Sequence, residues 1–122
     1  GLFKLQKFLD RNAFWAKDRK INDLRKCLAN SDIVVSIWFC NQPVGFGRAL
    51  SDGVYRGVLW DIVIDQNHQG KGYGKMIIKN LLESKKIKDT QKIYLMTTSK
   101  KLFYSQLDFK EVSSQNLLVR EI

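Results

Sequence analysis

The sequence predicts one α/β (α+β) domain over residues 1–122, a single mixed sheet covered by helices. Three observations predict it. Apolar residues first recur at helical spacing, and three strand-like runs follow in succession. Helix and strand patterns then alternate to the end of the chain. The longest strand-like run leads through a glycine-rich loop into an amphipathic helix. The length suits one small continuous core, and no repeat or low-complexity linker divides it.

Leu2, Leu5, Phe8 and Leu9 share one helical face, so the first helix is expected over 2–16. Ile21, Leu24 and Leu28 give a second stripe, with Asp18 as candidate cap and an end near Asn30. Residues 33–39 are rich in β-branched and aromatic side chains, which fit a pleated surface. Asn41-Gln42-Pro43 offers turn chemistry, and 44–50 reads as the partner strand of a hairpin. Ser51-Asp52-Gly53 makes the next turn. The strand at 55–65 contains Val58-Leu59-Trp60-Asp61-Ile62-Val63-Ile64, a nearly unbroken apolar stretch that implies burial on both faces. A helix is expected over 73–86, a strand over 93–97 and a short helix over 101–107. One strand or two short ones close the chain over 112–121. The order is α-α-β-β-β-α-β-α-β(β).

No apolar run approaches the roughly 20 residues of a membrane span. The first residues give no signal-peptide pattern, because Lys4, Lys7 and Asp10 interrupt them. The formal net charge of +9 attracts anions, whether nucleic acid, an acidic membrane surface or a polyphosphate. The charge is dispersed, however, with Lys85, Lys86 and Lys88 at one helix end and Lys100 and Lys101 at the start of another. That is the pattern of solvated faces. No groove-reading element or aromatic platform accompanies it, so neither nucleic acid nor membrane is expected as a partner. Cys27 and Cys40 form no Cys-x-x-Cys, and one histidine cannot complete a metal cluster with them. Both are expected as reduced core thiols, with no metal.

The chemistry concentrates in Ile62-Val63-Ile64-Asp65-Gln66-Asn67-His68-Gln69-Gly70-Lys71-Gly72-Tyr73-Gly74-Lys75. Glycines let a backbone approach a ligand and take positive φ. The first amides of the following helix lack acceptors and its dipole favours an anion, which together make a pyrophosphate site. The P-loop pattern fails twice, at Gln69 and at Met76. The dinucleotide fingerprint fails because Gly70, Gly72 and Gly74 are spaced Gly-x-Gly-x-Gly. A glycine turn that merely joins strand to helix is the plainer alternative.

Gln69-Gly70-Lys71-Gly72-Tyr73-Gly74 resembles the Arg/Gln-x-x-Gly-x-Gly/Ala signature of the GCN5-related N-acetyltransferase (GNAT) superfamily. Phe103-Tyr104-Ser105-Gln106-Leu107-Asp108-Phe109 resembles that family's Phe-Tyr-x-x-Leu-Gly-Phe segment. Val44-Gly45-Phe46-Gly47-Arg48-Ala49-Leu50-Ser51-Asp52 and Leu59-Trp60-Asp61 resemble its plastid and cyanobacterial branch, which includes chloroplast serotonin and protein N-acetyltransferases. The resemblance covers nearly the whole chain, with the family's usual first strand absent. It implies a mostly antiparallel GNAT-like sheet and a location in a plastid stroma or bacterial cytoplasm. It also implies acetyl-CoA as co-substrate and direct transfer of acetyl to a primary amine, in a monomer or homodimer. An arylalkylamine or a protein amine is the expected acceptor. Amino-sugar phosphates, through a shared Asp-Ile-x-Val strand and Gln-Gly-x-Gly-x-Gly loop, and a non-catalytic acyl-CoA-binding module are the alternatives.

By the same resemblance the strand amides of Ile62, Val63 and Ile64 bind the pantetheine arm. Those of Gln69, Gly70, Lys71, Gly72, Tyr73 and Gly74 bind the pyrophosphate. Tyr104 matches the family tyrosine that protonates the leaving thiolate; packing beside Phe103 is its other reading. Asp61 interrupts an apolar run, and strict alternation places it with Leu59 and Val63. A partly buried carboxylate there is expected to titrate high and serve as base; a structural acceptor or an ammonium anchor are its other readings. His68 reads as an exposed loop residue. Ser99 stands where relatives carry Asn, and Asp108 where they carry Gly.

Overall fold

The computed structural model describes residues 1–122 throughout. Its elements are α1 (Leu2–Asn12), a 3-10 turn (Phe14–Ala16), α2 (Ile21–Ala29), β1 (Ile33–Phe39), β2 (Gln42–Ser51) and β3 (Arg56–Ile64). A second 3-10 turn (Gln66–His68), α3 (Tyr73–Glu83), β4 (Lys92–Tyr94) and α4 (Lys101–Ser105) follow. The sheet runs β1-β2-β3-β4, antiparallel except for the parallel β3–β4 pair. No helix is long and apolar enough to cross a membrane.

The two faces carry separate cores. Leu5, Phe8 and Leu9 of α1 and Leu24 of α2 pack on Phe46 and Val63. Ile77, Ile78 and Leu81 of α3 pack on Ala49 and Leu59 from the other side, with Tyr104 at the end of that cluster. Gly45 and Gly47 sit directly under α3. A Cβ at Gly47 would lie 2.7 Å from both Ile62 Cδ1 and Ile77 Cγ2, so the missing side chain is what lets the helix lie this close.

Register places a β-bulge in β3. Phe46 pairs with Val63 and Arg48 with Trp60, so Gly47 alone faces Asp61 and Ile62. Asp61 takes φ 55°, the left-handed region that a bulge can require. The extra residue reverses the facing of the strand. Leu59, Ile62 and Ile64 belong with the α3 cluster, whereas Val63 belongs with the α1 and α2 cluster. The expectation that Asp61 shares a face with Leu59 is therefore corrected: alternation holds only where the ladder is regular.

Other boundaries moved for local reasons. The first helix ends at Asn12 rather than near residue 16. Ala13 is extended, and Asn12 Nδ2 donates back to the Phe8 carbonyl (3.0 Å). Asp18 does not cap α2; it takes φ 63°, its amide donates to Asp10 Oδ1, and Lys20 occupies the cap position. The hairpin turns at Cys40-Asn41, not at Asn41-Gln42-Pro43, with both residues at positive φ as a two-residue type I′ loop requires. Cys40 is consequently exposed and Cys27 half-buried, both as free thiols, so neither is a core residue. Residues 112–122 form no strand. They are exposed throughout, Leu118 to 89%, and β4 remains an edge. β-favouring residues make a strand only where a neighbour supplies the ladder.

Candidate functional site

β3 and β4 pair only from Arg56 to Val58 against Lys92 to Tyr94. Beyond Val58 the two chains part, and β3 runs on to Ile64 without a partner on that side. A cavity of about 620 Å³ fills the divergence. Trp60, Asp61 and Ile62 line it from β3, residues 95–100 from the segment after β4, and Tyr104 from α4. Phe14 and Trp15 line it as well, as does Gln69 at the start of the glycine loop.

The loop is ordered from its flanks. The Asp65 amide donates to Val44 O (2.9 Å), and the Asp65 carboxylate accepts from the Asn67 amide and from His68 Nδ1 (2.9 Å). Asn12 joins in, donating to Asp65 Oδ1 and accepting from the Gln66 amide. His68 is therefore held in place, packed near Tyr73 and Phe39, rather than loose at the loop edge. Burial raises the Asp65 carboxyl, but its bonds to His68, Asn12 and the Asn67 amide, with the Arg11 charge, hold it below the usual carboxylate range.

Gln69 Nε2 donates to Ile64 O (3.0 Å), turning the chain sharply out of the strand. Gly70 and Gly72 take φ 77° and 82°, and a Cβ at either would meet nothing within 4 Å. Gly74 is constrained differently: its Cβ would lie 3.1 Å from Phe103 Cζ, where α3 meets α4. The amides of Gly70, Lys71 and Gly72 and of the first turn of α3 donate to no group of the protein; the first capping bond is Met76 N to Gly72 O (3.1 Å). A row of free donors at a helix N-terminus, with Lys71 and Lys75 in the same segment, has the chemistry to hold an anion.

Tyr104 is 8% exposed, edge-on to Phe103 and Phe109, and burial pushes its phenol above the ordinary value. It remains a proton donor at neutral pH. Asp108 takes φ 69°, the left-handed conformation that the glycine of the resembling segment would supply without strain.

Asp61 departs most from expectation. Its side chain is 3% exposed and fully engaged. Oδ2 accepts from Arg19 Nη1 and Arg48 Nε, both at 2.8 Å, and Oδ1 accepts from Trp15 Nε1 (2.9 Å) and Arg19 Nη2 (3.2 Å). Burial raises its carboxyl; the hydrogen bonds and charges of Arg19 and Arg48 together outweigh that and hold it below the usual range. The expected raised value is thereby overturned, because two guanidiniums were not anticipated beside it. Arg48 had left a signal, as the lone cation in an otherwise apolar strand pattern. Arg19 and Trp15, in a loop and a three-residue turn, had left none.

Comparison with known proteins agrees with this geometry. The family model described as an acetyltransferase (GNAT) domain matches residues 29–111. GCN5-related N-acetyltransferase 1, chloroplastic, of Arabidopsis thaliana is 38% identical over 69 residues, covering 56% of this chain and 35% of that protein. The "Uncharacterized N-acetyltransferase ycf52" of Pyropia yezoensis is 31% identical over 114 residues, covering 89% of this chain and 64% of its own. This chain thus spans between a third and two thirds of those relatives. Among solved structures, a GNAT-family acetyltransferase from Streptococcus pneumoniae TIGR4 superposes with a TM-score of 0.82 at 17% identity, covering 98% of this chain and 90% of the other. Glucosamine-6-phosphate N-acetyltransferase from Arabidopsis thaliana gives 0.74 at 15% identity, covering 97% and 92%; both likenesses concern the fold. A parted strand pair, a glycine cradle at its mouth and a matching family model lead to one conclusion: the chain belongs to the GNAT acetyltransferase family.

Proposed function

We propose that the chain is an acetyl-CoA-dependent N-acetyltransferase that acetylates a primary amine by direct attack. The observation that carries this reading is the divergence of β3 from β4, with free loop amides beyond Ile64 and the Tyr104 side chain lining the same cavity. The cradle formed by Gln69, Gly70, Lys71, Gly72, Tyr73 and Gly74 takes the pyrophosphate. The open edge of β3 at Ile62, Val63 and Ile64 takes the pantetheine arm and offers donors to the thioester carbonyl oxygen, where charge develops on attack.

The neutral amine nitrogen attacks the carbonyl carbon, a C–N bond forms and the C–S bond breaks. The thiolate receives the Tyr104 proton, and the proton lost by nitrogen passes to water and restores the phenol. Asp61 takes no proton in this scheme, since its carboxylate is already bound to two cations. An arylalkylamine or a protein amine is the acceptor this reading favours. Relatives named for these classes support it: Serotonin N-acetyltransferase 2, chloroplastic, of rice and Histone acetyltransferase TAP1 of Glycine max. The chloroplastic names support a plastid location.

Radiolabelled acetyl-CoA incubated with arylalkylamines, peptide amines and glucosamine 6-phosphate tests the reading. Label is expected on an amine of the first two classes. Tight acetyl-CoA binding without transfer to any acceptor would make the chain a binding module instead.

A further inference from the structure

Trp15 is 49% exposed, yet its ring is not free to swing. The turn that carries it is pinned at both ends by fully buried alanines, Ala13 and Ala16. Its Nε1 donates to Asp61 Oδ1 (2.9 Å), and Asp61 is itself immobilised by Arg19 and Arg48. Phe14 meets Trp15 edge to face, with ring centroids 5.1 Å apart and planes at 86°. Both rings line the cavity. An indole left half in water exposes apolar area that folding would otherwise remove. Here a buried charged network fixes it in that position.

The charges around it exclude one mode of recognition. Two guanidiniums neutralise one carboxylate and leave a net positive charge, so an incoming ammonium finds no free anion at Asp61. What the cavity lining presents beside Asp61 is the aromatic surface of Trp15 and Phe14.

Resting on the acetyl-transfer reading, we propose that Trp15 is a specificity-determining wall for the acceptor, and that Asp61 is a positioning residue that fixes the indole through Nε1. The acceptor such a wall fits is an amine on a flat, apolar carbon framework with no second charge, held by its faces against the indole.

Steady-state kinetics with 2-phenylethylamine and with propylamine test this on the full chain, together with calorimetric titration of 2-phenylethylamine into CoA-saturated protein. Trp15→Ala is expected to raise KM and Kd for 2-phenylethylamine roughly three- to tenfold, the worth of one aromatic contact. KM for acetyl-CoA and for propylamine should stay within about twofold. Trp15→Phe keeps a ring but removes the bond to Asp61. It should give a smaller rise in the same KM, with kcat and the shape of the pH profile retained. An unchanged KM and Kd in Trp15→Ala would overturn the wall, and wild-type KM in Trp15→Phe would overturn the positioning role of Asp61. If the wild-type chain acetylates neither of these two amines, the acetyl-transfer reading is decided separately, by whether label reaches a peptide amine. The titration still decides the wall: weaker binding by Trp15→Ala supports it, and equal binding, or none by the wild type, overturns it.

Discussion

A carboxylate and a phenol lining one cavity are driven in opposite directions by their neighbours. Tyr104 meets no compensating charge, so burial pushes its phenol further above the ordinary value. Tyr104→Phe preserves the edge-on packing against Phe103 and Phe109 and removes only the donor. Turnover should fall roughly a hundredfold or more, while calorimetric acetyl-CoA affinity stays within about twofold. Wild-type turnover in this variant would assign the residue to packing. Asp61 was legible as an anomaly, a charge in an apolar run, and Arg48 as a lone cation in another, but Arg19 and Trp15 were not legible as its partners. Burial and ion pairing push a carboxyl in opposite senses, and only the fold shows that Arg19 and Arg48 outweigh burial. Asp61→Asn strands two guanidiniums. It should destabilise the chain by about 3 kcal/mol, read as a lower denaturation midpoint. The folded fraction should retain normal acetyl-CoA affinity.

The glycine loop was legible as an element because its spacing states its conformation. Gly70 and Gly72 do take positive φ; Gly74 does not, and its place against the Phe103 ring was not legible in the spacing. Gly72→Asp places a carboxylate in open space at the head of α3, where the cradle would hold phosphates. Gly72→Asn places a similar volume there without charge, and asparagine tolerates the left-handed region. Acetyl-CoA affinity should drop at least about tenfold further in Gly72→Asp than in Gly72→Asn, from the like-charge repulsion. Equal losses would reduce the loop to sterics. The β1–β2 turn was legible in place but not in register. Proline and asparagine drew the turn forward, while Cys40 bears a positive φ that cysteine rarely takes. Cys40→Asn should therefore stabilise the hairpin by roughly 0.5–1 kcal/mol, seen as a higher melting temperature. The closing strand expected over 112–121 failed for a different reason. Leu117, Leu118 and Val119 have the composition of a strand, but composition does not name a partner, and nothing pairs with them.

At the scale of the molecule, helix and strand periods sufficed for the layered architecture, because each period states which face is buried. What they could not state was the change of face within β3, since the pattern of apolar residues there is continuous on both sides. The acid limb of stability belongs to this scale. Asp61 and Asp65 both titrate below the usual value in the folded chain. Their contribution is complete above an unfolded value of about 4, and it is lost as pH falls through the lower folded values. Urea midpoints should therefore be flat from neutral to about pH 5 and decline below about pH 4, and Asp61→Asn should shallow that decline. The bulge has a consequence of another kind. Because one strand serves the α3 core before it and the α1–α2 core after it, β3 keeps count of its residues. Removing one residue between Trp60 and Ile62 would exchange inside for outside in everything from there to the loop, turning Val63 toward Ile77 and Ile62 toward Phe8. The strand therefore tolerates altered letters far better than a shortened word.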